Sequence, residues 1–324
     1  MEKLKFIDFC AGIGGGRLGL TNNNLKCIGY SEIDCHAQKT YNTFYGTEEE
    51  NYGDLTKIDA KNLPDFDLLI GGFPCQTFSV LGKREGFADS RGMIIYSLID
   101  IMKKKNIPYF ILENVKGLVN HDRGRTLKHI VELLQNAGYC VDYKVLNSMD
   151  YGVPQMRERI YFVGIRNDLK NKDFVWPKPF KKSEIQDCLI DDDAEIQNLD
   201  DKIFQKYLNN KYNNGNYNLN EILKQDYLIL DTRQSDLRLY DKKVPTLRTG
   251  RHGILYVKNN KLYKLSGYES LLLQGFPKEF AEKAKKNGLN NGKLLSQAGN
   301  AMTVCVIQSI CESLLNCIRG NRNE

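Results

Sequence analysis

No Cys-x-x-Cys pair occurs in the 324 residues; nine cysteines lie scattered from Cys10 to Cys317, and histidine appears only four times. An odd, scattered set of thiols argues against a disulfide framework, and the scarcity of histidine argues against a zinc site, so no metal is expected. Long hydrophobic runs are missing too, none approaching the length that spans a bilayer. The start MEKLKFIDFC passes from charged residues straight into an apolar run ending in glycines, without the small-residue cleavage site of a secretory signal. A cytoplasmic protein with no membrane partner is the expectation. A net charge of +6 permits a polyanionic partner without requiring one.

What is present is a chain large enough to bury one sizeable domain plus a smaller one, with 41% hydrophobic and 27% charged residues. From Leu4 to Ile165, short apolar runs alternate with amphipathic stretches: KFIDF, CIGYSEID, DLLIGGF, YFILENV, VDYKVLN and RIYFVGI read as strands of a parallel α/β sheet. Helices fit the segment from the glycines to Thr21, SLIDIMKKKN, and TLKHIVELLQNAG, the last closed by Gly138. Near Trp176 the texture changes to WPKPFKK, an acidic run and an Asn- and Tyr-rich insert, a domain boundary. Beyond it, β character returns, with a hairpin expected at Asn259 and Asn260. SGYESLLLQGF and the terminal SQAGNAMTVCVIQSICESLLNCI read as helices, the second apolar enough to rejoin the main core.

The first strand runs into Cys10, Ala11, Gly12, Ile13, Gly14, Gly15 and Gly16, a glycine turn opening a helix, where an open α/β sheet binds nucleotide-like cofactors. A turn with no ligand remains open at this point, but the dinucleotide spacing G-x-G-x-x-G fails because Arg17 occupies the third glycine position. Glu32 and Asp54 follow later runs, placed to accept from a ribose and an adenine amine. The fourth run ends in Gly72, Phe73, Pro74, Cys75 and Gln76, a thiol directly after a proline at a strand end, followed by a glycine-punctuated stretch from Ser79 to Gly92 that reads as a lid. A fifth run delivers Glu113 and Asn114, either a helix-capping pair or a catalytic acid and its neighbour. A buried carboxyl by an apolar wall would have its proton affinity raised. Arg157 and Arg159 stand two apart, on one face of an extended segment, open to phosphate or carbonyl binding or to a surface cluster with Glu158.

Taken in order, DFCAGIGGG, GGFPCQTFS, LENV, QMRERIYFVGIRND and QAGNAMTV resemble the motif set of the bacterial DNA cytosine-5 methyltransferases over nearly the whole chain. The resemblance implies a Rossmann-like α/β fold in which residues 1–181 hold catalysis and cofactor. Residues 182–265 form a smaller, mostly β target-recognition domain, and 266–324 a hinge and C-terminal helix returning to the catalytic domain. It implies S-adenosyl-L-methionine as cofactor, S-adenosyl-L-homocysteine as product, and double-stranded DNA as substrate. A restriction endonuclease is the usual functional partner in a restriction-modification system, and action as a monomer is expected.

Residue by residue, the family implies that Cys75 attacks C6 of a cytosine flipped out of the duplex. Glu113 would bind N3 and the exocyclic amine, and Arg159 the base's O2. The cofactor would lie among Cys10 to Gly15, Glu32, Ile33, Asp54, Leu55, Gly72, Pro74, Asn300, Ala301 and Met302. In many relatives the positions of Cys10 and Ile33 are aromatic, so adenine here is expected to rest on aliphatic surface. Gln76, Ser79 and Arg91 are the expected DNA contacts of the lid. The loops DTRQSDLR and TLRTGRHG supply Arg233, Arg238, Thr246, Arg248 and Arg251 as base readers or phosphate contacts. Against an RNA methyltransferase on the same scaffold, the Cys-Phe-Thr signature of the tRNA-modifying relatives is not found. A silent DNA-binding protein would not need Cys75, Glu113 and Arg159 together, and a nicotinamide oxidoreductase fails on glycine spacing.

Overall fold

A computed structural model describes residues 3–73, 93–180, 183–215 and 217–319. The chain divides into two compact units: residues 1–147, 158–179 and 302–324 form the first, and 148–157 with 180–301 the second. The chain therefore passes from one to the other four times.

In the first unit the elements run β1 (Lys5–Phe9), α1 (Gly15–Thr21), β2 (Lys26–Ser31), α2 (Cys35–Tyr45), β3 (Leu68–Gly72), α3 (Met93–Lys104), β4 (Tyr109–Val115), α4 (Arg125–Asn136) and β5 (Tyr139–Asn147). After the two-residue β6 (Gln155–Met156) of the second unit comes β7 (Glu158–Arg166). Among the described residues the sheet has six strands in the order β2-β1-β3-β4-β7-β5. All six expected runs are in it. β1 to β4 pair in parallel, but β7 is antiparallel to both β4 and β5, so the all-parallel expectation is corrected. Ten residues separate β5 from β7, too few for the helical crossover that a parallel neighbour demands.

Alternation along the strands supplies two apolar faces, as a sheet covered on both sides requires. One, with Ile7, Phe9, Leu69, Phe110 and Leu112, packs on α3 and α4 through Leu98, Met102, Ile130 and Leu134. On the other, Ile70 lies under Gly16 of α1, where a Cβ would come within 2.9 Å of it. α4 ends as expected, with Gly138 in the left-handed region at φ 96.

The second unit adds α5 (Lys202–Leu208), α6 (Leu219–Leu223), β8 (Leu228–Asp231), β9 (Arg238–Asp241), β10 (Val244–Pro245), β11 (Ile254–Lys258), β12 (Lys261–Lys264), α7 (Gly267–Leu272), α8 (Lys278–Lys286) and α9 (Asn291–Asn300). Its antiparallel sheet, β12-β11-β8-β9, packs Leu228, Leu230, Leu255 and Val257 against Phe204 and Leu208 of α5 and Ile222 of α6. The Asn-rich insert is thus partly helical, and α7 to α9 cluster with this unit. The β11–β12 hairpin turns on Asn259 and Asn260, both left-handed at φ 51 and 57, as a two-residue turn of matching twist needs.

The terminal apolar segment is interrupted rather than one helix: Ala301 is extended, and α10 (Val304–Arg319) starts afresh. By length and composition alone Asn291–Ile318 is apolar enough to cross a membrane. Val306, Ile307, Ile310, Cys311 and Leu314, however, are buried within the protein, and Gly19 of α1 allows Ile307 to approach closely. α10 is a core helix of the first unit.

Candidate active site at the carboxyl edge of the sheet

Register brings the functional candidates of the first unit to one edge. Phe9 pairs with Ser31 and with Gly71, and Gly72 with Glu113, so β1 to β4 end together. Because β7 runs the opposite way, its beginning reaches the same edge, with Arg159 paired to Val115.

Beyond β1 the backbone turns through Cys10 (φ 54), Gly12 (φ 57) and Gly14 (φ 79), all left-handed. Such a conformation strains a side chain at Cys10 and suits glycine at the other two. Gly12 donates its N–H to Glu32 Oε2 at 2.8 Å, and a Cβ there would meet nothing among the described residues. At Gly15, by contrast, a Cβ would fall well under 3.0 Å from the Met302 carbonyl, so chain is packed directly against chain.

Glu32 is held from all sides. Its Oε1 accepts the N–H groups of Ile33 and Asp34, both at 2.8 Å. Asn51, which the sequence reading missed, accepts from Glu32 N and Gly53 N at 3.0 Å and donates to the Glu32 carbonyl at 3.1 Å. Its only signal in sequence is its place three residues before Asp54. The Asp54 carboxyl accepts from Thr56 N and Oγ1, which hold it below the usual carboxylate range. Leu55 is buried, whereas Ile33 is 71% exposed, a large apolar side chain beside Glu32.

The electrostatics of the turn are acidic. Burial, with Glu32, Asp8 and Asp54 adding negative potential, pushes the Cys10 thiol up to about 12. Asp8, buried under α1 with Oδ2 accepting from Arg17 N at 3.0 Å, is raised to about 7, chiefly by burial. A positively charged group is favoured in such surroundings.

Further along the edge, Arg159 Nε lies 3.0 Å from Glu113 Oε1, each side chain 13% exposed. Glu113 thus faces a guanidinium. A Cβ on Gly72 would stand 3.6 Å from Glu113 Oε2, so the end of β3 lies beside this carboxyl. Asn114 is buried and does not cap a helix with its side chain. It donates to the Phe73 carbonyl at 2.8 Å, and Phe73 N donates to the Glu113 carbonyl at 3.3 Å. Two residues on lies Cys75, which with Pro74, Gln76, Ser79 and Arg91 falls outside the described residues.

Arg157 and Arg159 fall in different units. Arg157 N donates to the Gln155 carbonyl, a tight turn that breaks the alternation. Arg157 belongs to the second unit, fully buried, its guanidinium donating to the carbonyls of Leu247, Gly299 and Ala301 at 2.8–3.2 Å. It braces backbone; it is not displayed to phosphate.

In the second unit, which also holds Asn300 and Ala301, Arg248 and Arg251 are exposed. Arg238 is half-exposed against Asp236 at 3.0 Å. Arg233 is buried against Asp231, and the Thr246 hydroxyl donates to the Met156 carbonyl at 2.6 Å.

A Rossmann-like sheet with one reversed strand, loaded along its carboxyl edge with a glycine turn and an acid–guanidinium pair, is the build of an α/β methyltransferase. The comparisons make the class specific. The chain belongs to the C-5 cytosine-specific DNA methylase family, whose model matches residues 4–316, and it is a DNA (cytosine-5-)-methyltransferase. It is 36% identical to the type II methyltransferase M.HaeII of Haemophilus aegyptius over 98% of this chain and 94% of that one. It is also 36% identical to M.BsuFI of Bacillus subtilis, over 96% of this chain and 72% of the relative. In fold it is similar to the S. pombe Dnmt2 methyltransferase, with a TM-score of 0.67, 18% identity and full coverage of both chains.

Proposed function

We propose that the enzyme methylates C5 of a cytosine flipped out of a specific duplex DNA sequence, through a covalent bond from Cys75 to C6. The observation that carries this reading is the Glu113–Arg159 pair beside the end of β3 at Gly72, three residues before Cys75 in the sequence.

The glycine turn fits S-adenosylmethionine: a Gly12 Cβ that would meet nothing among the described residues, three carboxylates raising negative potential at Cys10, and Glu32 at a strand end suit an adenosyl group bearing a cationic sulfonium. Cys10 to Gly15, Glu32, Ile33, Asp54, Leu55, Gly72, Pro74 and Met302 would hold it, with Asn300 and Ala301 contributing as in the family. When bound it supplies the methyl group and leaves as S-adenosylhomocysteine.

The chain's own residues do the rest. A thiolate is nucleophilic toward the soft, weakly electrophilic C6 where a hydroxyl is not. As the Cys75 S–C6 bond forms, the C5–C6 double bond gives its electrons to the ring, and Glu113 holds the proton at N3 that offsets the developing charge. Arg159 orients Glu113 and the base's O2. After C5 gains its methyl, a base removes the C5 proton, the double bond reforms and Cys75 departs as thiolate. Extruding the base costs a few kcal/mol, roughly, and exposes both faces.

A restriction-modification setting follows the type II relatives, with the enzyme acting as a monomer in a bacterial cytoplasm beside a cognate endonuclease. The test is a duplex carrying 5-fluorocytosine at the target, incubated with S-adenosylmethionine. A covalent complex lost in Cys75→Ser is expected; an active preparation that yields no adduct refutes the mechanism. Bisulfite sequencing of exposed DNA locates the target motif.

A further inference from the structure

The loop from Thr246 to Gly253 carries exposed Arg248, Thr249, Gly250, Arg251 and His252, and turns at Gly250 in the left-handed region, φ 66. Both ends of this loop are tied to one three-residue segment, Asp231–Thr232–Arg233, at the end of β8. Arg233 Nη1 donates to the Thr246 carbonyl at 2.9 Å. Thr232 donates to the Gly253 carbonyl through its N–H at 2.8 Å and its hydroxyl at 3.0 Å.

Asp231 takes the Nε–Nη2 edge of the Arg233 guanidinium. Nε and Nη2 reach its two oxygens at 2.8 and 2.9 Å, and Oδ1 also accepts Arg233 N at 3.0 Å. The pair is 4% and 3% exposed. An arginine that reads guanine or grips phosphate must present this same donor fork to DNA. Here the Nε–Nη2 edge is spent internally, and at 4% exposed the side chain does not present its remaining donors to solvent. The loop's Leu247 is fixed as well, its N–H donating to Gln155 Oε1 at 3.0 Å. A Cβ on Gly299 would lie 2.5 Å from Arg248 backbone, so the loop rests on the end of α9.

We propose that Arg233 is a specificity-positioning residue that makes no DNA contact: with Thr232 it staples the two feet of the Thr246–Gly253 loop, which presents Arg248 and Arg251 to DNA. This rests on the reading of the second unit as the DNA-recognition unit, and it gives that unit a division of labour between two arginine-bearing loops.

Each phosphate contact contributes about 0.9 to the slope of log affinity against log salt, so a contact and a staple leave different signatures. With the motif located by bisulfite sequencing of wild-type reactions, two quantities are measured for wild type, Arg233→Met and Arg248→Ala. One is the ratio of kcat/KM on the motif to that on single-base variants; the other is the salt slope of Kd for a non-motif duplex. For Arg233→Met the ratio should fall at least about tenfold, the loss of one good base contact in order of magnitude, while the salt slope stays at the wild-type value. A slope lower by about 0.9 with the ratio kept makes Arg233 a phosphate contact and overturns the proposal, as does an unchanged ratio. Should Arg233→Met fail to fold around its unpaired Asp231, Asp231→Asn/Arg233→Met removes both charges and is judged by the same two readouts. A wild-type enzyme with no motif defeats the recognition reading itself, and the staple with it.

Discussion

Two glycines three residues apart in the first turn should fail in opposite ways when replaced by alanine. At Gly15 the new Cβ would lie well under 3.0 Å from the Met302 carbonyl, whereas ordinary contact begins at 3.4 Å. The backbone before α10 must retreat by roughly 1 Å, and overpacking of this kind costs about 1–3 kcal/mol. Gly12→Ala meets nothing among the described residues. Its left-handed φ of 57 costs only ~1–2 kcal/mol, and the methyl projects into the space assigned to the cofactor. Thermal melts with and without S-adenosylmethionine separate the two. At a hundredfold excess over Kd, wild type should gain about 2.7 kcal/mol from ligand, worth roughly 2–4 °C per kcal/mol in a unit of this size. Gly12→Ala should lose that gain while keeping most of its unliganded stability, and Gly15→Ala should melt lower whether or not ligand is present. A wild-type ligand shift in Gly12→Ala, or a wild-type melting point in Gly15→Ala, refutes the reasoning.

Two further outcomes are expected. Asp8 has its pKa raised from 3.8 to about 7 by burial, so its contribution to stability is complete below pH 3.8 and lost as pH rises through 7. Asp8→Asn should therefore stabilise the protein at pH 8, by about 2 kcal/mol, against a ceiling of about 4, and flatten denaturant-measured stability between pH 4 and 7; equal stabilities at pH 8 would contradict this. Asn114→Leu strips the Phe73 carbonyl of its donor, a loss of about 1–3 kcal/mol. By loosening the strand end that leads to Cys75 it should lower kcat by roughly 10²-fold with little change in KM for DNA; an unchanged kcat would reduce Asn114 to a structural role.

The sheet was legible because six apolar runs of strand length recur, the first five of them separated by helices, and the hairpin because paired asparagines accept left-handed backbone. The direction of β7 was not, since alternation of runs is blind to polarity; only the short link after β5 excludes a crossover. The roles of the arginines were least legible. Arg157, Arg159, Arg233 and Arg248 look alike in sequence, yet one braces carbonyls, one faces Glu113, one is locked to Asp231 and one is exposed. What separates them is the backbone around each, as where Arg157 N bonds back to Gln155 and resets the alternation. Asn51 escaped notice because a polar residue between strands carries no periodic signal.

The reversed strand also bears on the order in which the site assembles. β5 and β7 are close in sequence and pair over nine residues from Tyr139–Arg166 to Asn147–Glu158, so their hairpin closes at low entropic cost. Glu113 arrives on β4, whose parallel partner β3 must be gathered across α3. Glu113 and Arg159 come together where β4 pairs antiparallel with β7, the pairing that joins this hairpin to the rest of the sheet. The acid–guanidinium pair thus depends on a pairing that is non-local in sequence, and the β5–β7 hairpin alone does not supply it.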